Sequence, residues 1–306
     1  MRAIVSIGRV FHYGNEQFAY DWRIIDWDIK PDANGKRTLY SNGGPIEFFE
    51  TVFVNPGYYM PQKFLFDRLI VADENLTPKK GQLASKYSVS ADGLSIEFVL
   101  RDGITWHDGV PITTEDVKFT VEYSAKVPQL NAVAANTYSC LQGYQAYIQG
   151  KAAEISGIVI DGNKITFNFE KLDPNALLTF SQWPPLPKHL LNNTDPLQAQ
   201  RASYWQAPIG SGPFKLEKVS MNNYATFIRY KGYWDQGVGN IERIQLYPSS
   251  ESDPNLVINT EAGLVDYAFS KTVSDVTAIE KMVHMNVHPV DIRYTRLFYV
   301  NKFPRK

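Results

Sequence analysis

Apolar and polar positions alternate with a period of two in several stretches, and each predicts a β-hairpin. In YSVSADGLSIEFVL, Tyr87 and Val89 precede an Asp92-Gly93 turn. Leu94, Ile96, Phe98 and Leu100 then alternate as in a half-buried strand. GIVIDGNKITFNFE repeats the device, turning at Asp161-Gly162-Asn163 and placing Ile165, Phe167 and Phe169 on one face. GPFKLEKV and NYATFIRY form a third pair around Met221-Asn222-Asn223, and IERIQLYP reads as a further strand. Upstream, RTLYSNGG predicts a short strand ending in a Gly-Gly turn, and KFLFDRLI the start of a helix.

Helical signals lie between these strands. In PITTEDVKFTVEY, Thr113 can cap a helix, Asp116 can reach back to it, and Ile112 and Val117 can form a hydrophobic staple. VSDVTAIEKM carries Val273, Val276 and Ile279 at helical spacing. Strands and helices mix without strict βαβ alternation, so the fold class is α/β in the mixed, α+β sense. The segment WPPLPKH (183–189) reads as a stiff connection near a domain boundary. Residues 1–36 stand apart, dense in Trp, Tyr and Asp but without a clean period of either kind.

Composition narrows the function. Thirty-one basic against 32 acidic residues give a formal net charge of −1, so no basic surplus points to nucleic acid. A single cysteine, Cys140, excludes an internal disulfide and a multi-cysteine metal site, and its surroundings lack an activating His or helix start. No apolar run is long enough to cross a membrane, and the N-terminal stretch, broken by Gly8 and Arg9, does not read as a secretory signal.

Three groups invite a chemical reading. His107 and Asp108 are adjacent, but neighbouring strand residues point to opposite faces, and Asp108-Gly109 with Pro111 is turn chemistry. A structural corner is favoured over an acid-base pair. Gly210-Ser211-Gly212-Pro213 lacks the helix and Lys-Ser/Thr ending of a phosphate loop, and reads as a tight backbone crossing. His284 and His288 fall in MVHMNVHPV, which reads as a strand that would put both on one face and keeps a metal pair conceivable.

The order of blocks carries a resemblance. LASKYSVSADGLSIEFVLRDGITWHDGVPITTEDVKFTVEY (83–123) is followed by GNKITFNFEKLDPNALLTF, PIGSGPFKL, YKGYWDQGVGNIERIQLYP and INTEAGLVDYAF. Together, over residues 37–302, they resemble the peptide/nickel family of extracellular solute-binding proteins that serve ABC importers. The resemblance implies a periplasmic-binding-protein-like lobe and a noncatalytic role, capture of an oligopeptide or dipeptide for delivery to a membrane permease. It implies an extracytoplasmic location, no cofactor, and membrane association only through the transporter or through a lipid anchor not visible here.

Mapped onto this chain, the family architecture gives a large lobe from 37–60 and 190–270, an inserted small domain at 61–189, and the beginning of a second lobe at 271–306. Residues 1–36 are an atypical segment that can be foreign to the fold. Family members are longer, so the resemblance implies a truncated chain with most of its second lobe missing. A one-walled cleft buries less ligand than the roughly 70–90% typical of good sites, so weak binding is expected. Expected ligand-wall residues are Asn55, Pro56 and Gly57 after the first strand, Tyr247 and Phe269 after later strands, and Tyr138 from the small domain, each with ordinary packing as the alternative. Rival readings are a nickel, haem or sugar ligand within the same family, and a hydrolase using carboxylates of TEDV or DYAFSK.

Overall fold

The computed structural model describes residues 4–8, 29–43, 52–53, 60–73, 77–220, 223–236, 239–248, 253–270 and 272–290. In chain order, β1 (Ile4–Gly8) and β2 (Thr38–Gly43) precede helix α1 (Met60–Leu65). Strands β3 (Ile70–Ala72), β4 (Pro78–Gly81), β5 (Ala84–Val89) and β6 (Ser95–Leu100) follow. Next come α2 (Thr114–Ala125), α3 (Ala132–Ser139) and α4 (Tyr144–Ile148), then β7 (Ile158–Asp161) and β8 (Lys164–Asn168). Helices α5 (Ala176–Gln182) and α6 (Lys188–Leu191) lead to β9 (Phe214–Ser220), β10 (Tyr224–Arg229) and β11 (Arg243–Pro248). The described chain ends with α7 (Leu256–Glu261), β12 (Tyr267–Ser270), α8 (Val273–Ile279) and β13 (Asn286–Val290).

The chain divides into two compact bodies, Val10–Ser250 and Met1–Arg9 with Glu251–Lys306.

In the larger body, β2 pairs parallel with β11, and β11, β10 and β9 continue antiparallel. Leu39, Ser41, Ile244, Leu246, Ala225 and Phe227 are buried on one face of this sheet. Phe64 of α1 meets Phe227 and Phe214 there at ring distances of 5.1 and 6.5 Å. The second sheet, β5-β6-β8-β7, is antiparallel throughout and is built from the two predicted hairpins. Its inner face carries Ile96, Phe98, Ile165 and Phe167, all buried, as the alternation requires. Phe98, Phe167 and Phe180 of α5 form an aromatic knot with ring distances of 4.5–6.1 Å. This core cluster runs from Leu69 to Trp183, inside the expected 61–189 span, and also takes in Tyr138 and Cys140.

Helix α2 starts where its code places it. Asp116 Oδ2 accepts the Thr113 N–H at 2.9 Å, and Ile112 and Val117 are both buried. Asp116 Oδ1 accepts the Lys188 N–H at 3.0 Å, and Thr120 Oγ1 accepts the Leu186 N–H, which moors the proline-rich connection to this helix.

Two expectations are corrected. KFLFDRLI does not start a helix: α1 begins at Met60 and ends at Leu65, because the Leu65 carbonyl is taken by the Ser211 and Gly212 N–H groups at 2.8 and 2.7 Å. MVHMNVHPV is a strand only from Asn286, so His284 precedes β13, and its Nε2 lies 3.3 Å from the Thr260 carbonyl. In the smaller body, β1 pairs antiparallel with both β12 and β13, so the segment set apart in the sequence supplies a central strand.

Candidate ligand-binding surface

The outer face of the β2-β11-β10-β9 sheet is polar and partly aromatic. In the β2-β11 register Gln245 faces Tyr40 and Tyr247 faces Asn42, so the two tyrosines are diagonal neighbours on one face. Their rings lie parallel within 10° with centroids 6.4 Å apart, and they are 38% and 37% exposed. The Tyr247 phenol is pushed up by its partial burial and, next, by the Tyr40 phenol beside it. Beside them Thr226 donates to Gln245 Oε1 at 2.8 Å. Such a pair offers a flat apolar contact and two hydroxyls, which suits recognition rather than proton transfer.

Among the expected wall residues, Tyr247 is therefore at a surface. Phe269 lies on β12 in the smaller body, opposite Ser6 of β1. Asn55, Pro56 and Gly57 lie outside the described residues. Tyr138 is 2% exposed in the core cluster around Phe98 and Phe167, where burial pushes its hydroxyl up, so it has no surface to offer a solute. Tyr40 was missed by sequence reasoning, although Leu39 and Ser41 on either side face inward and the alternation of RTLYSNGG places it outward.

The supports beneath this sheet are joints, not reactive centres. His107 is 7% exposed. Its Nδ1 accepts the Gly210 N–H at 3.1 Å, and Nε2 lies 2.9 Å from the Gly212 carbonyl, which calls for the Nε2–H tautomer. Burial, outweighing the Gly212 contact, holds its pKa down at about 4, so the ring is neutral. Asp108 turns away and pairs with His189 at 2.8 Å. The corner reading of His107-Asp108 holds.

Gly210-Ser211-Gly212 is the close crossing that its glycines suggest. A Cβ on Gly210 would overlap the Leu65 carbonyl oxygen, and one on Gly212 would come within 2.5 Å of the Phe64 oxygen. Ser211 Oγ accepts the Asp67 N–H at 3.0 Å. The GYW segment provides the other joints. Tyr230 Oη donates to the Trp106 carbonyl and stands 2.7 Å from Thr105 Oγ1. The Tyr233 hydroxyl and the Trp234 indole N–H both donate to Asp67 Oδ2 at 2.9 Å.

The carboxylates of TEDV are engaged in structure. Both Asp116 oxygens accept backbone N–H groups, and Glu115 pairs with Lys188 at 2.9 Å. Cys140 is buried, its thiol donating to the Asn136 carbonyl, and burial pushes its pKa up. Among the described residues no group of three or more His, Cys, Asp or Glu side chains is arranged to hold a metal ion, and no helix is long and apolar enough to cross a membrane.

Comparison with known proteins places this fold. Residues 80–302 match the family described as bacterial extracellular solute-binding proteins, family 5 middle, and the chain belongs to that family. It is 24% identical over 254 residues to the oligopeptide-binding protein OppA of Bacillus subtilis, covering 78% of this chain and 44% of OppA. Among solved structures, AppA of Bacillus subtilis in complex with a nonapeptide aligns with a TM-score of 0.65 at 21% identity, over 80% of this chain and 46% of AppA. NikZ of Campylobacter jejuni in complex with Ni(L-His) aligns with a TM-score of 0.59 at 25% identity, over 80% of this chain and 45% of NikZ. The chain spans less than half the length of each of these relatives.

Proposed function

We propose that this chain is part of the substrate-binding component of an ABC importer, capturing oligopeptides outside the cytoplasm for delivery to a membrane permease without catalysing a reaction. The observation that carries this reading is the family match over residues 80–302, with oligopeptide-binding OppA among the relatives. The exposed Tyr40–Tyr247 pair supports it, since stacked tyrosines give an extended peptide apolar contact with hydrogen-bonding ends. Tyr247 is the strongest wall candidate. It lies in the larger body, and Tyr138 belongs to the core.

The test is the unfolding midpoint of the 306-residue chain with and without a mixed oligopeptide pool at millimolar concentration. A ligand that binds only the folded state raises the midpoint. The expected result is a small upward shift, reduced in Tyr247→Ala, whose side chain is exposed enough to remove without opening the core. Nickel-histidine is the control ligand, because NikZ was solved with that complex. A cooperative transition that no peptide moves, or that moves only with nickel-histidine, counts against peptide capture.

A further inference from the structure

The larger body carries a cleft of about 470 Å³ that shares no residue with the proposed peptide wall. Its lining includes Ser85, Lys86, Arg101, Asp102, Asn163 and Trp234. The floor is the outer face of the β5-β6-β8-β7 sheet, where Lys86 of β5 stands opposite Val99 of β6. Val99 alternates with the core residues Phe98 and Leu100 and is itself 8% exposed.

Its two cations are prepared and uncompensated. The Arg101 guanidinium lies 4.0 Å from the centre of the Trp234 ring, and Arg101 Nε donates to the Gln82 carbonyl at 2.6 Å. Trp234 is itself held by Asp67. The guanidinium is thus fixed in plane, with its two terminal nitrogens outside that backbone bond. Neither Arg101 nor Lys86 has a carboxylate partner among the described residues. Asp102 is the one acid in the lining, which against Arg101 and Lys86 leaves an excess of one positive charge. A planar fork held on an indole, in a cleft with a second cation, is the arrangement that receives a carboxylate, and the half-buried Trp234 edge offers a surface for a flat apolar body.

We propose that this cleft is a binding site for small carboxylates with a flat apolar body, supplied either as free aromatic acids or as the C-terminal aromatic residue of a peptide. Arg101 and Lys86 bind the carboxylate, and Trp234 positions Arg101.

Ligand-observed NMR on the 306-residue chain at low ionic strength tests it. Benzoate is the probe and benzamide its neutral counterpart, while N-acetylphenylalanine separates a peptide terminus from a free acid. Saturation transfer is expected to benzoate, to N-acetylphenylalanine or to both, and not to benzamide. Arg101→Gln and Lys86→Gln should each weaken acid binding roughly tenfold, the scale of one lost charge-assisted contact, with unchanged unfolding midpoints. Lys86→Gln carries the comparison if Arg101→Gln alters the fold, since Lys86 is an exposed side chain on an edge strand. Equal transfer to benzamide, acid binding unchanged in the variants, or no transfer to either acid at about ten millimolar would overturn the assignment.

Discussion

His107 and Gly210 are joined twice, the His107 N–H to the Gly210 carbonyl at 2.8 Å and the Gly210 N–H to His107 Nδ1 at 3.1 Å. A residue of the corner before α2 thereby behaves like a strand partner of the Gly210–Gly212 crossing, with its ring as the second acceptor. The ring sits edge-on to Tyr230 at 5.0 Å, and Lys215 and Asp108 are the charged groups that act on it.

That ring makes stability depend on pH. Its pKa falls from 6.5 to about 4 on folding, chiefly because burial penalises the charged form. The unfolded chain therefore binds a proton that the folded chain refuses. Stability from this group is complete above about 6.5, is lost as pH falls from there towards 4, and levels off below, a change of roughly 3 kcal/mol. Urea unfolding midpoints between pH 7 and 4 should show this slope in the parent chain and a flatter one in His107→Gln. Parallel slopes would mean that other groups set the dependence.

Gly210→Ala should be among the most damaging single-methyl changes in the molecule. The added carbon would occupy the place of the Leu65 carbonyl oxygen, so α1 and the crossing cannot both keep their positions. Overpacking of this kind costs about 1–3 kcal/mol, more where backbone meets backbone. Thermal unfolding should show a clear drop, whereas Gly103→Ala, open around its Cβ, should lose less, through its positive φ alone.

Asp67 gathers Tyr233 and Trp234 on one carboxylate oxygen in a fully buried position. Tyr233→Phe removes one donor to this buried carboxyl and should cost roughly 0.5–1.5 kcal/mol. Asp67→Ala strands the buried Tyr233 hydroxyl and the part-buried Trp234 N–H together and should cost more than Tyr233→Phe. Equilibrium denaturation of both variants checks the order, and an Asp67→Ala chain as stable as the parent would deny the joint its role.

Phe98 stands in the aromatic knot with Phe167 and Phe180 and is fully buried. Phe98→Ala should destabilise by about 3–5 kcal/mol through lost transfer energy and the cavity left behind. Phe98→Leu should cost much less. Denaturant titration of the pair separates volume from aromatic geometry.

The hairpins and helix α2 were legible in the sequence because their codes are local. Asp92-Gly93, the alternation of Ile96 and Phe98, and the Thr113–Asp116 box each lie within a few residues of what they control. The glycines of Gly210–Gly212 announced a close approach but not its partner, since Leu65 lies far upstream. The same distance hid the end of α1, whose last carbonyl is claimed by that crossing, and the pairing of Ile4–Gly8 with strands near residue 270. Tyr40 and Tyr247 illustrate the site. Alternation shows each facing outward, but only the parallel register brings them together.

That parallel register also sets a timetable. Arg37, just before β2, meets the carboxylate of Glu242, just before β11, across a separation of 205 residues. At a synthesis rate of about 5–20 residues per second, β2 emerges roughly 10–40 s before its partner exists. Throughout that interval its peptide groups and the Leu39 side chain have nothing to pair with, while the small-domain hairpins between them can already close. Sequence changes that make residues 38–43 stickier should therefore lower the yield of folded protein without altering its final stability.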